Sequence, residues 1–232
     1  MNAAAAILGL AGLVCVPAGA QVPDWAELMA EAAWDWHPGD LIFRNGFDHL
    51  DDLIRDAEGG KWASVAMLRA ASGDPRVVYV DPDQGVAEMM LDEYIAGLGD
   101  DDYAVYRVTS LDPNGPGRQM EMGRMARFAL FVAYGAAHDP WMMTGGDGFY
   151  NAKLPYMAAL NAGVALGKPV SLEQLGAASP ALRDALLADW QAHPYCRVAQ
   201  DADECWDEIS GISVVTPRVL MESPAVTRVF PE

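Results

Sequence analysis

Between Asp40 and Val108 the apolar residues come in short runs closed by turn signals, and beyond residue 118 they fall at helical spacing. Asp40-Leu41-Ile42-Phe43-Arg44 reads as a buried strand that follows the break at Pro38-Gly39. His49 to Ala57 is predicted helical, with Leu50, Leu53 and Ile54 on one face, and Gly59-Gly60 ends it. Trp62 to Ala70 and Arg76 to Val80 read as two strands of a hairpin turning at Gly73-Asp74-Pro75. Val86 to Met90 is a short strand, Leu91 to Gly97 a helical turn, and Tyr103 to Val108 a strand by its alternation. Asp112-Pro113-Asn114-Gly115-Pro116-Gly117 is a loop.

The helical half follows. Arg118 to Ala136 carries an apolar stripe of Met122, Met125, Phe128, Ala129 and Val132. Asp139-Pro140 and Gly145-Gly146-Asp147-Gly148 mark a loop, and a second long helix is predicted over Asn151 to Leu166. Ser171 starts another, with Gln174 completing a capping box. Ser179 and Pro180 start the last, as N-cap and first helical residue. Ile212 to Leu220 returns to extended structure. Strands followed by helices predict an α+β fold, a small antiparallel sheet or half-barrel packed by helices.

The N-terminus changes the picture of where the chain works. Ala3 to Val16 is an apolar run broken by Pro17 and ending in Ala18-Gly19-Ala20, which reads as a signal peptide over residues 1–20 cleaved before Gln21. It falls short of the roughly 18–20 residues that span a bilayer, and Gly12-Leu13-Val14 ahead of Cys15 does not form a lipobox. A helical lead-in (21–35) then precedes one domain over 36–232, and a periplasmic or secreted location is expected. Residues 1–20 carry no charge, so the mature chain keeps the net charge of −18. That balance disfavours nucleic acid and anionic lipid as bulk partners.

Cleavage would leave Cys196 and Cys205. In an oxidising compartment the pair predicts one disulfide, with a metal pair as the alternative. The Asp100-Asp101-Asp102 run lacks calcium-loop spacing, and no zinc, phosphate-loop or nucleophile-elbow motif occurs. No cofactor and no metal is therefore expected.

Several strings, in order, resemble the YiiX/YebB-like branch of the NlpC-type superfamily, the permuted papain-like cysteine hydrolases. Pro38-Gly39-Asp40-Leu41-Ile42-Phe43-Arg44 looks like the entry strand, and Gly60-Lys61-Trp62-Ala63-Ser64-Val65-Ala66-Met67-Leu68 falls where relatives carry Ser-His-Val-Gly. Leu91-Asp92-Glu93-Tyr94-Ile95 matches a short helix, and His138-Asp139 falls where relatives have Tyr-Asp. Phe149-Tyr150-Asn151 is spaced like the Tyr-Cys-Ser segment; Ser179-Pro180-Ala181-Leu182-Arg183 and Val215-Thr216-Pro217 resemble late segments. The resemblance covers about residues 36–222. It implies a permuted papain-like fold and an ancestral cysteine nucleophile activated by histidine, acting on amide or ester bonds.

Carried over residue by residue, the nucleophile position is Asn151, the base position Ser64 and the orienting position Asp81. An amide is no nucleophile at neutral pH, and a hydroxyl is far too weak a base. Asn151 reads either as a helix N-cap or as a donor to a bound carbonyl or sugar. Ser64 reads as a small residue facing a cleft, or as a new nucleophile with His138. Asp81 before Pro82 reads as a turn residue or as the inherited orienting group. Tyr150, Trp62, His138 and Asp139 are the accompanying cleft candidates.

Three functions are consistent with these readings. The first is a catalytically degenerate homologue that keeps the cleft and binds a cell-envelope peptide or acyl ligand. The second is an amide or ester hydrolase with a rebuilt Ser/His site. The third is a structural or interaction protein whose cleft is filled by side chains such as Tyr150 or Trp62.

Overall fold

The structure, a computed structural model, describes residues 32–71, 75–112 and 122–231. The predicted signal peptide, the lead-in before Ala32, the tip of the 73–75 turn, most of the 112–117 loop and the start of the helix predicted from Arg118 lie outside these residues. Among them the fold is mixed α and β, with a six-stranded antiparallel sheet and eight α-helices.

The predicted strands all form. β1 (Leu41–Arg44) lies inside the sheet, and β2 (Ser64–Arg69), β3 (Arg76–Asp81) and β4 (Gly85–Met90) succeed one another on one side of it. β5 (Tyr103–Val108) pairs with the other side of β1. A separate ribbon joins β6 (Val170–Ser171) to β7 (Ser213–Val214). β8 (Val226–Phe230) then completes the order β4-β3-β2-β1-β5-β8. Its Thr227 and Arg228 face solvent, so this edge strand takes its identity from β5 rather than from its own sequence.

Both faces of the sheet are covered, which is why its strands read as unbroken apolar runs. Leu41, Phe43, Val65, Met67 and Val78 point into the helical side, beside Leu154, Ala158 and Leu220. The alternate residues Ile42, Ala66, Leu68 and Val77 pack under Trp34, Trp36, Tyr94, Tyr103 and Phe230. The described part of the lead-in, residues 32–35, is bent rather than helical. It is tied down by Asp40, fully buried, whose carboxylate accepts from Arg107 Nε (2.7 Å) and Nη2 (2.9 Å), the His37 amide and Trp34 Nε1.

α1 (His49–Glu58) forms where predicted: Asp48 caps its start by accepting from the Leu50 amide, and Gly59 ends it at φ 62°. α2 (Leu91–Tyr94) is the single turn after β4. The helix predicted to Ala136 is shorter. α3 (Arg124–Phe128) widens into a π turn over Ala129–Ala133 and stops. The stop has a tertiary cause: Gly135 donates to the Val86 carbonyl, and Val86 donates back to Ala136, so residues 135–136 dock on the β4 edge. A side chain at Gly85 would collide with the Ala136 carbonyl.

α4 (Lys153–Asn161) is likewise shorter than Asn151–Leu166. α5 (Leu172–Ala178) has the Ser171/Gln174 capping box, and α6 (Pro180–Leu187) has Ser179 as N-cap. α6 is not the last helix. α7 (Ala202–Ile209) starts from Asp201, and α8 (Pro217–Met221) starts from Thr216 where extended chain was predicted. Cys196 and Cys205 form the disulfide, which ties the loop before α7 to its buried face.

Candidate functional site

Two of the three positions carried over from the resemblance, Ser64 and Asn151, meet through Asp51, a residue of the predicted helix α1 that the sequence reading did not single out. Asp51 lies in the first turn of α1, Ser64 opens β2, and Asn151 stands just ahead of α4. The Ser64 hydroxyl donates to Asp51 Oδ2 at 3.0 Å, and the Asn151 amide nitrogen donates to the same oxygen. Asn151 Oδ1 accepts from the Val65 amide at 2.7 Å. β3 pairs with β2 only from Met67 onward, so Asn151 takes an amide in the stretch that β3 leaves open.

This trio is closed to solvent. Ser64 is 1% exposed, Asn151 8% and Asp51 9%. Burial, with Asp48 nearby, raises the Asp51 carboxyl from 3.8 to about 7, against the opposing pull of the bonds from Asn151 and Ser64. Asn151 does not cap α4, whose N-cap is Ala152. Both ends of its side chain are engaged inward.

Asp81 is placed differently. Its Oδ1 accepts from the Asp83 and Gln84 amides, each at 2.9 Å, and so closes the β3–β4 turn. Tyr150 is buried, and its hydroxyl accepts from the Val215 amide at 2.8 Å. Trp62 is 4% exposed and joins the same core cluster.

His138 and Asp139 belong to a loop closed by the bridge between His138 and Phe149. Asp139 accepts from the Trp141 and Met143 amides, and Lys153 Nζ reaches the carbonyls of Met143, Gly146 and Gly148 at 2.9, 3.3 and 2.6 Å. Burial raises the Asp139 carboxyl and lowers the Lys153 ammonium.

The four histidines lie elsewhere. His37 bonds Asp112, His49 is exposed at the start of α1, and His138 is half-buried. His193 accepts from the Tyr195 amide and packs edge-on against Trp141. Among the described residues the recorded partner of the Ser64 hydroxyl is a carboxylate, not an imidazole. No group of three or more His, Cys, Asp or Glu among them could hold a metal ion. No helix among them is long and apolar enough to cross a membrane.

Asp51 left a faint trace in the sequence. It lies three residues before Ile54, on the flank of the apolar stripe of α1, where an acid is half-turned toward the core.

No family profile and no curated protein matches the chain in sequence. A solved structure does match in shape. Metalloprotein yiiX from Escherichia coli O157:H7 superposes with a TM-score of 0.64 at 21% identity, covering 86% of this chain and 99% of that one. The chain has a YiiX-like fold. At that identity the likeness speaks for the architecture alone. It accounts for the six-stranded sheet with helices around it, and the YiiX-like frame is what brings α1, β2 and the entry to α4 together.

Proposed function

We propose that the chain is an exported, catalytically inactive homologue of the permuted papain-like hydrolases, its inherited cleft filled, and that it acts through its surface. One observation carries this reading: the Ser64 hydroxyl and the Asn151 amide both bond one buried carboxylate, Asp51, instead of facing an open site. Tyr150 and Trp62, buried beside them, support the filled-cleft form over one that binds an envelope peptide or acyl ligand inside the cleft. The Cys196–Cys205 disulfide supports an oxidising compartment.

A second reading has an observation of its own. Ser64 Oγ lies 3.0 Å from a carboxylate whose pKa is about 7, within reach for a general base. Productive attack would require the trio to open, since Ser64 is 1% exposed.

Purified protein incubated with an activated acyl ester and with peptidoglycan fragments separates the two. Turnover at the buffer rate, unchanged by Ser64→Ala, is expected. Turnover that disappears in both Ser64→Ala and Asp51→Asn would overturn the inactive reading.

A further inference from the structure

A surface that acts needs a partner, and one segment presents the chemistry for it. α3 buries Met125, Ala126 and Phe128, and the π turn buries Ala129 and Ala133. The opposite side is exposed: Arg124 and Arg127 first, then Phe131 at 77%, Val132 at 67% and Tyr134 at 54%. Arg124, Arg127 and Phe131 are spaced three and four apart, so they share a helical face. Residues 122–138 contain no Asp or Glu in a chain of net charge −18. The tip cannot fold back on itself, because Gly135 and Ala136 are hydrogen-bonded to Val86 on the β4 edge.

We propose that this tip docks the protein on the interface of a phospholipid bilayer. Phe131, Val132 and Tyr134 would enter the boundary between headgroups and acyl chains, and the two guanidiniums would bond headgroup phosphates. The dimensions favour a bilayer over a protein. At these exposures three side chains offer roughly 400 Å², well under the ~800 Å² per partner of a stable protein interface, whereas a membrane needs only an inserted wedge. The remaining acidic surface repels strongly anionic lipid, which predicts a preference for bilayers that are zwitterionic or mildly anionic. The proposal deepens the surface-acting reading by naming a partner, and it rests on the tip rather than on the closed trio.

The test is flotation of the mature chain with phosphatidylcholine vesicles, with and without one-fifth phosphatidylglycerol. Wild type is compared with Phe131→Ser/Val132→Ser/Tyr134→Ser, with Phe131→Ser alone, and with Arg124→Gln/Arg127→Gln. All are purified after export and begin at Gln21, so the apolar leader contributes no binding that would mask the tip. The expected result is a loss of roughly tenfold or more for the triple variant. A loss of about fivefold per arginine on the vesicles with phosphatidylglycerol, relieved by salt, is expected for the arginine pair. The substituted positions are exposed, so thermal midpoints should match wild type; Phe131→Ser alone carries the test if the triple variant does not fold.

Equal flotation of wild type and tip variants, or none by wild type, overturns the proposal. Self-association of wild type that the tip variant loses, without vesicle binding, also overturns it and assigns the tip to a second copy. These outcomes are separate from hydrolase turnover, which would sink the inactive reading and leave the tip standing.

Discussion

Replacing Asp51 by Asn tests the buried trio most directly. The asparagine keeps the shape of the side chain and one oxygen able to accept from both Ser64 and Asn151, but it removes the titration. In the wild type the carboxyl sits at about 7 when folded and 3.8 in the reference state. That gap of about three pH units, at about 1.4 kcal/mol each, corresponds to ~4 kcal/mol. The folded chain holds the proton more tightly than the unfolded chain. The stability due to Asp51 is therefore fully present below pH 3.8 and is lost as pH rises through about 7. Urea unfolding of both proteins at intervals from pH 3 to pH 9 isolates this group, since the other carboxyls cancel in the difference. Relative to Asp51→Asn, the wild type should lose ~4 kcal/mol across the series, most of it between pH 4 and pH 7. The opposing physics is specific: two donors on one oxygen favour the ionised form. A wild type that gains relative stability as pH rises would mean that these bonds outweigh burial, and a flat difference would mean that the site is wet. Either result refutes the argument.

Other expectations follow from the same accounting. Lys153→Met leaves three loop carbonyls and Asp139 without their cation and should cost roughly 2–4 kcal/mol in urea unfolding, with faster proteolysis between residues 140 and 148. Arg107→Ala strands the fully buried Asp40 carboxylate and should cost about 3–5 kcal/mol, measured the same way. Cys196→Ser/Cys205→Ser opens a loop of sequence separation 9 and should cost about 2.5 kcal/mol. Asn151→Cys should react with iodoacetamide far more slowly folded than in urea; equal rates would show that the position faces solvent.

Five of the six strands of the sheet were legible because each announces itself. β1 to β5 are short runs of apolar residues between turn residues, and burial on both faces makes the runs unmistakable. Helix starts with a polar cap and a proline were legible at Ser179-Pro180, yet the same signal at Thr216-Pro217 was read as extended chain, although it begins α8. Helix ends were harder. α3 stops because residues 135–136 bond to Val86, some fifty positions away in the chain, and no local pattern carries that information. The candidate site divides in the same way. Ser64 and Asn151 were reached through resemblance. Asp51 was not, because an acid in a helix that begins His-Leu-Asp-Asp ordinarily faces water. Its contacts join positions 13 and 100 residues apart, and only the tertiary fold brings them together.

The identities of the three residues also bear on why the site looks as it does. A position outside such a network could carry any small or apolar residue. Asn151 instead has both an acceptor and a donor on one planar group, and it uses the first on the Val65 amide and the second on Asp51. Ser64 supplies one short donor in the space of a small side chain, enough to hold the carboxyl without crowding Val65 and Ala66. An alanine at either position would remove a donor from a nearly buried carboxyl, a loss that costs more than an ordinary hydrogen bond contributes. Asn151, Ser64 and Asp51 thus satisfy one another's polar groups, and each member makes the others hard to replace singly. Polar satisfaction of this kind fastens α1, β2 and the entry to α4 to one another.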